Sequence, residues 1–134
     1  MVAITPNAGG HDALGPLVSR YVDVDELPWQ ESKFPGIKIK VLMEDKYAGL
    51  ITALFRCEPG TRLPLHEHTA IEQTYVLEGS LVDDEGEATA GNYVWRPAGS
   101  RHSAHSPNGM LAISFFLSPN RFLDEESLEP EEAQ

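Results

Sequence analysis

The chain has 134 residues, 41% of them hydrophobic and 23% charged, with a formal net charge of -11. That length fits one domain around a single core, and the balance is that of a folded chain, which excludes disorder as the general state. The acidic excess excludes a duplex-binding role, because the phosphate backbone would repel the protein instead of releasing counterions to it.

Met1 through Gly10 has neither basic residues nor an apolar centre, so no secretory signal of the usual kind is expected there. No apolar run approaches the roughly 20 residues of a spanning helix, so no membrane association is expected. Cys57 is the only cysteine, which rules out an intrachain disulfide and makes the cytoplasm the expected location. Residues 1–36 carry Pro6, Gly9, Gly10, Gly15, Pro16, Pro28 and Pro35 and read as an extended arm. Its Tyr21, Val22, Val24, Leu27 and Trp29 are apolar enough to lie on a barrel, and His11 within it reads as solvated.

Residues 37–123 read as short strands broken by turns. Short strands are predicted at Ile37 to Met43, Leu50 to Cys57, Leu63 to His68 and Glu72 to Leu77, with more after Gly79. Turn chemistry separates them: Glu58-Pro59-Gly60 suits a type II turn, Asp84-Glu85-Gly86 a short hairpin loop, and Asn108-Gly109 a turn with two positive φ angles. Many closely spaced antiparallel strands imply a sandwich or barrel. Leu50 to Phe55 and Leu111 to Leu117 are apolar on both alternating sets, so both faces need cover, and a homodimer is predicted on that ground. The acidic residues of 124–134 read as a solvated tail without chemistry.

The chemistry concentrates in His66, His68, Glu72 and His102. Strand residues two apart share a face about 6.6 Å apart, so His66 and His68 can reach one ion. A straight strand would leave Glu72 about 13 Å from His68, too far for shared metal bonds near 2.1 Å. The chain must therefore bend at Thr69-Ala70-Ile71 to return Glu72 to the same cavity. His102 comes from a separate strand after Pro97-Ala98-Gly99.

These residues carry a family resemblance. Gly60-xxxxx-His66-x-His68-xxx-Glu72-xxxxxx-Gly79 resembles the first cupin motif at every spacing, and Gly91-xxxxx-Pro97-x-Gly99-xx-His102 resembles the second. The asparagine usual after three intervening residues is replaced here by Ser106, which bears only on the local support of the loop. The resemblance implies an all-β fold, the small double-stranded β-helix or jelly-roll barrel over residues 37–123, here with an extended N-terminal arm. It also implies that His66, His68, Glu72 and His102 hold one divalent transition metal per chain. Three imidazoles and a carboxylate suit Fe(II), Mn, Ni, Zn or Cu, and ligand type alone does not choose among them. His105 is outside the pattern and one residue off the parity of His102, so it reads as pointing away.

The stretches around the motifs are similar to the ChrR-like and acetylacetone-dioxygenase-like cupins. That likeness implies a mononuclear iron dioxygenase cleaving a carbon-carbon bond in a small dicarbonyl or aromatic ketone. The alternatives are a zinc-bound sensor or small-molecule binding module, and a non-oxidative isomerase or lyase. In a dioxygenase Glu72 has two roles open to it, ligand or catalytic base. Thr74, Val76, Tyr93, Trp95, Phe55 and Phe116 are candidate cavity walls, Arg62, Arg96 and Arg101 read as solvated rim residues, and Cys57 as a small buried one.

Overall fold

The computed structural model describes residues 3–123. They contain ten strands: β1 (Gln30–Glu31), β2 (Ile37–Asp45), β3 (Leu50–Cys57), β4 (Thr61–Glu67), β5 (Glu72–Val82), β6 (Glu87–Thr89), β7 (Tyr93–Arg96), β8 (Arg101–Ser106), β9 (Met110–Phe116) and β10 (Arg121–Phe122). Among the described residues the only helical pieces are two three-residue 3-10 turns, and no helix is long and apolar enough to cross a membrane. All pairings are antiparallel, in the order β1-β2-β3-β9-β5-β8-β4-β10, with β6 and β7 added on β5. The sheet curls over on itself to make the predicted jelly roll, and β5 takes part in both halves. Glu72 to Gly79 pairs with β9, whereas Ser80 to Val82 turns to β6.

Period-two patterning decides which face goes inward. In β2 Ile37 and Ile39 are buried, and in β3 the set Ile51, Ala53, Phe55 and Cys57, with Lys38 and Arg56 on the other side. These residues join Val76, Met110, Ala112, Phe116 and Phe122 in one core between the two halves. The N-terminal segment covers part of the outside: β1 pairs with β2, Leu27 is buried, and Trp29 lies under the charged ends of Lys40 and Arg56 at 4.8 and 5.4 Å. Tyr21, expected against the barrel, is instead 89% exposed. The predicted acidic tail, residues 124–134, lies outside the described residues.

Two turns show how local chemistry sets the strands. Gly60 has φ 84° after Pro59, with the Thr61 N–H donating to the Glu58 carbonyl at 3.1 Å, the expected type II geometry. The Pro107-Asn108-Gly109 turn departs from expectation: Gly109 has φ 80°, but Asn7 is the only described non-glycine residue with positive φ. Pro107 is the reason, since its ring holds φ negative at the first central position and excludes the doubly positive turn. Gly79 is needed for a different purpose, because a Cβ there would sit 1.9 Å from the Gly109 carbonyl oxygen. The close approach lets β5 cross from one half to the other.

Candidate metal centre

His66 on β4 stands directly opposite His102 on β8, and a bulge between Leu63 and His66 sets that register. His68 lies just beyond β4, fixed by backbone bonds from its N–H to the Ser100 carbonyl (2.9 Å) and from the Gly99 N–H to its own carbonyl (2.7 Å). The chain then bends at Thr69-Ala70 before β5 begins at Glu72. The two motifs therefore meet through strand register and a backbone clasp.

The three rings gather tightly, with centroids 4.8 Å apart for His66 and His68, 4.5 Å for His66 and His102, and 5.0 Å for His68 and His102. One nitrogen from each can be chosen so that all three lie within 4.8 Å of one another. Metal bonds near 2.1 Å require nitrogens about 3 to 3.5 Å apart, so the rings would close in slightly on an ion. The His68 ring is completely buried, and neither of its nitrogens makes a well-aligned hydrogen bond among the described residues, although Nδ1 lies 3.1 Å from Glu72 Oε1. A buried imidazole with poorly satisfied nitrogens costs free energy, and a cation bound at one of them would offset that cost. His66 Nδ1 lies 2.8 Å from the Pro64 carbonyl, which leaves Nε2 for an ion.

Burial keeps these imidazoles neutral, the state a metal ligand needs. It pushes the pKa of His68 down to about 3, helped by His66, His102 and Arg96. His102 falls to about 3 through burial, Arg96 and His66, with Asp83 pulling the other way. His66 is lowered by burial as well, against the opposing Pro64 bond. Burial acts oppositely on Glu72 and raises its carboxyl to about 7, opposed by Arg96 and Thr74.

Glu72 is inside, as the bend requires, with Oε1 3.1 Å from His68 Nδ1 and Oε2 3.4 Å from the Thr74 hydroxyl. It is not part of the group formed by His66, His68 and His102. His105 is only half-buried, lies opposite Arg62, and is likewise outside the group. Ser106, in place of the usual asparagine, is buried and donates to the Ser80 carbonyl at 2.7 Å, so it supports the loop across β5. His11 is half-buried, with Nε2 3.2 Å from the Tyr21 carbonyl, where a solvated ring was expected.

A cavity of about 70 Å³ lies beneath the histidines, walled by Phe55, Leu63, Thr74, Ser114 and Phe116 among others. Tyr93 and Trp95 are not among its walls; they point outward at 50% and 55% exposure. Arg96, predicted at the solvated rim, is the inward residue instead, 9% exposed and bonded to Asp83 Oδ2 at 2.5 Å. Arg62 and Arg101 are exposed as expected. The missed signal is parity: Arg96 is two residues from Val94, which packs against the core, whereas Tyr93 and Trp95 alternate with them. Asp83 and the buried Asn120 were also missed, and no motif marks either.

A family model described as the ChrR Cupin-like domain matches residues 18–120. No curated protein matches the chain. A protein from Methylibium petroleiphilum PM1, provisionally assigned as an acetylacetone dioxygenase, superposes with a TM-score of 0.75 at 24% identity, over 88% of this chain and 89% of that one. An acetylacetone dioxygenase from Acinetobacter johnsonii gives 0.71 at 20% identity, over 84% and 83%. The complex of Rhodobacter sphaeroides SigE with the anti-sigma ChrR gives 0.61 at 19% identity, over 69% of this chain and 51% of that one. At these identities the likeness is one of fold.

Proposed function

The chain belongs to the ChrR cupin-like family, and from that premise we propose that it is a mononuclear iron dioxygenase cleaving a carbon-carbon bond in a small dicarbonyl compound. The observation that carries the reading is the trio of neutral histidines, His66, His68 and His102, gathered around one point at the head of a small cavity. The fold shared with the Acinetobacter johnsonii acetylacetone dioxygenase, and with the Methylibium petroleiphilum protein provisionally assigned to that activity, supports the same class.

His66, His68 and His102 hold the divalent ion in this reading. When bound, the ion supplies Lewis acidity and redox chemistry with dioxygen. Glu72 acts as the base instead of a fourth ligand: its carboxylate touches only His68 within the trio, and Thr74 steadies Oε2. A carboxylate there can take the acidic proton between two carbonyl groups. Phe55, Leu63 and Phe116 keep water from the reacting carbon. A location in the cytoplasm fits the single buried thiol of Cys57.

Iron-loaded protein should consume oxygen with β-diketones, and His66→Ala should lose its metal. A protein purified with one equivalent of zinc and showing no uptake across β-diketones and hydroxyacetophenones would support the second reading, a metal-bound sensor or binding module. The fold shared with the anti-sigma ChrR favours that alternative.

A homodimer belongs to the same proposal. On the outer face Trp95 aligns with Gln73 and then Phe115, and Tyr93 with Tyr75 and then Ile113, forming adjacent rows. Tyr75, Leu77, Tyr93, Trp95 and Phe115 are 41% to 55% exposed side by side. A second copy laid on this face would cover them. Sedimentation should show a dimer at high micromolar concentration, and a monomer there would defeat the assignment.

A further inference from the structure

Asp83 stands outside both motifs, on the hairpin between β5 and β6, yet its carboxylate reaches the metal centre. Its side chain is 4% exposed. Oδ1 accepts the backbone N–H groups of Glu85 (2.8 Å) and Gly86 (3.0 Å), so the turn itself locks the carboxylate. Oδ2 accepts from Arg96 Nη1 at 2.5 Å and lies 3.2 Å from His102 Nδ1. Arg96 is fixed in turn by its strand, which pairs it with Glu72.

We propose that Asp83, clamped by Arg96, is a positioning residue that holds the proton of His102 on Nδ1 and so aims Nε2 at the metal. This rests on the three-histidine reading above. A neutral imidazole carries one N–H, and whichever nitrogen donates to an outer acceptor leaves the other free to ligate. For His66 the Pro64 carbonyl, two residues away, is that acceptor. Among the described residues no backbone carbonyl bonds to His102 in this way, and Asp83 supplies the acceptor from a distant hairpin. His102 Nδ1 lies 3.2 Å from Oδ2 without full hydrogen-bond alignment, while the carboxylate is already held at three points. A small turn of the ring on loading completes the bond. Arg96 balances the carboxylate's charge, so Asp83 can accept the N–H without taking its proton.

Asp83, Arg96 and His102 also border an outer pocket of about 240 Å³. Removing the carboxylate would open the His102 Nδ1–H to solvent. That gives a readout independent of activity.

The test compares wild type with Asp83→Ala, Asp83→Asn and Asp83→Glu by chelator competition for Co(II), with folding checked by circular dichroism. Asparagine can still accept the turn amides but presents an amide N–H₂ towards Arg96 and His102, so it separates the turn from the ligand contact. Alanine and asparagine should each weaken Co(II) binding about 10- to 100-fold, and glutamate should restore most of the loss. In the proton spectrum of the Co(II) protein, the shifted N–H signal of His102 should be present in wild type and broadened by exchange in Asp83→Ala. A purely structural ion pair predicts lower melting temperatures with Co(II) affinity within twofold of wild type and that signal intact, which would overturn the proposal. Wild type that takes up no metal would overturn the metal reading and this one together, whereas loaded wild type with indifferent variants overturns this one alone.

Discussion

Two parts of the sheet, β2–β3 and β5–β7–β9, use opposite rules. In β2 and β3 the inward side chains are Ile37, Ile39, Ile51 and Phe55, and the opposite face carries Lys38, Arg56 and Lys40, the last only 4% exposed because Trp29 and the Val24 carbonyl of the N-terminal segment cover it. In β5, β7 and β9 the inward set includes Glu72, Thr74, Arg96 and Ser114, each at most 9% exposed, while Tyr75, Tyr93, Trp95 and Phe115 face outward. The first part follows hydrophobic burial and stabilises the barrel. The second buries polar groups, which is costly unless they are paired, and they are: Arg96 with Asp83, and Thr74 with Ser114 at 2.8 Å. Inversion of the ordinary pattern marks the chemical side of the molecule.

The comparison breaks most severely at Arg96. Arg96→Met leaves the Asp83 carboxylate buried without its partner, and the expected loss is about 3 to 5 kcal/mol in urea unfolding of the metal-free protein. A change under 1 kcal/mol would mean that the pair is solvated in solution.

Acid sharpens the contrast next. His68 and His102 have folded pKa values of about 3 against an ordinary 6.5, so the unfolded chain binds more protons between those limits. Their contribution is complete above about pH 6.5 and is lost as pH falls towards 3. Glu72, raised from 4.5 to about 7, works in the opposite sense between those two values, but it is one group against two. Thermal melting of the metal-free protein should therefore fall as pH drops below about 6.5, and more steeply below about 4.5, where Glu72 no longer opposes. A melting temperature flat from pH 7 to 4 would contradict the burial of the histidines.

Trp95→Glu should have the smallest effect on the fold, within about 0.5 kcal/mol for the isolated chain, since the side chain lies outside the core. Its effect belongs to assembly: sedimentation should move from dimer to monomer while metal content stays at the wild-type value.

Strand positions were legible because period-two burial and turn residues are local properties; Leu50–Cys57 forms with the bounds its pattern predicted. The gathering of His66, His68 and His102 was legible for a related reason, since motif spacing records a register that only a curled sheet satisfies. Trp95 and Arg96 misled because composition argues for aromatic residues inside and cations outside, and this part of the sheet reverses both. The acid-rich Asp83-Asp84-Glu85-Gly86 turn reads as solvent-exposed, and nothing local says that its first residue folds back on a histidine.

The amino-acid order by itself determined an all-β chain of short antiparallel strands and the type II turn at Gly60, because alternation and turn chemistry are written along one chain. The barrel and its shared histidines were legible through the resemblance of the two motifs to a known family. Only the tertiary structure decided that Arg96 points inward, that Asp83 reaches His102, and that the aromatic residues of β7 lie outside. Those outcomes depend on which face of a strand meets the opposite half of the barrel and on electrostatic partners brought together from separate segments. Such contacts exist only once the sheet has closed.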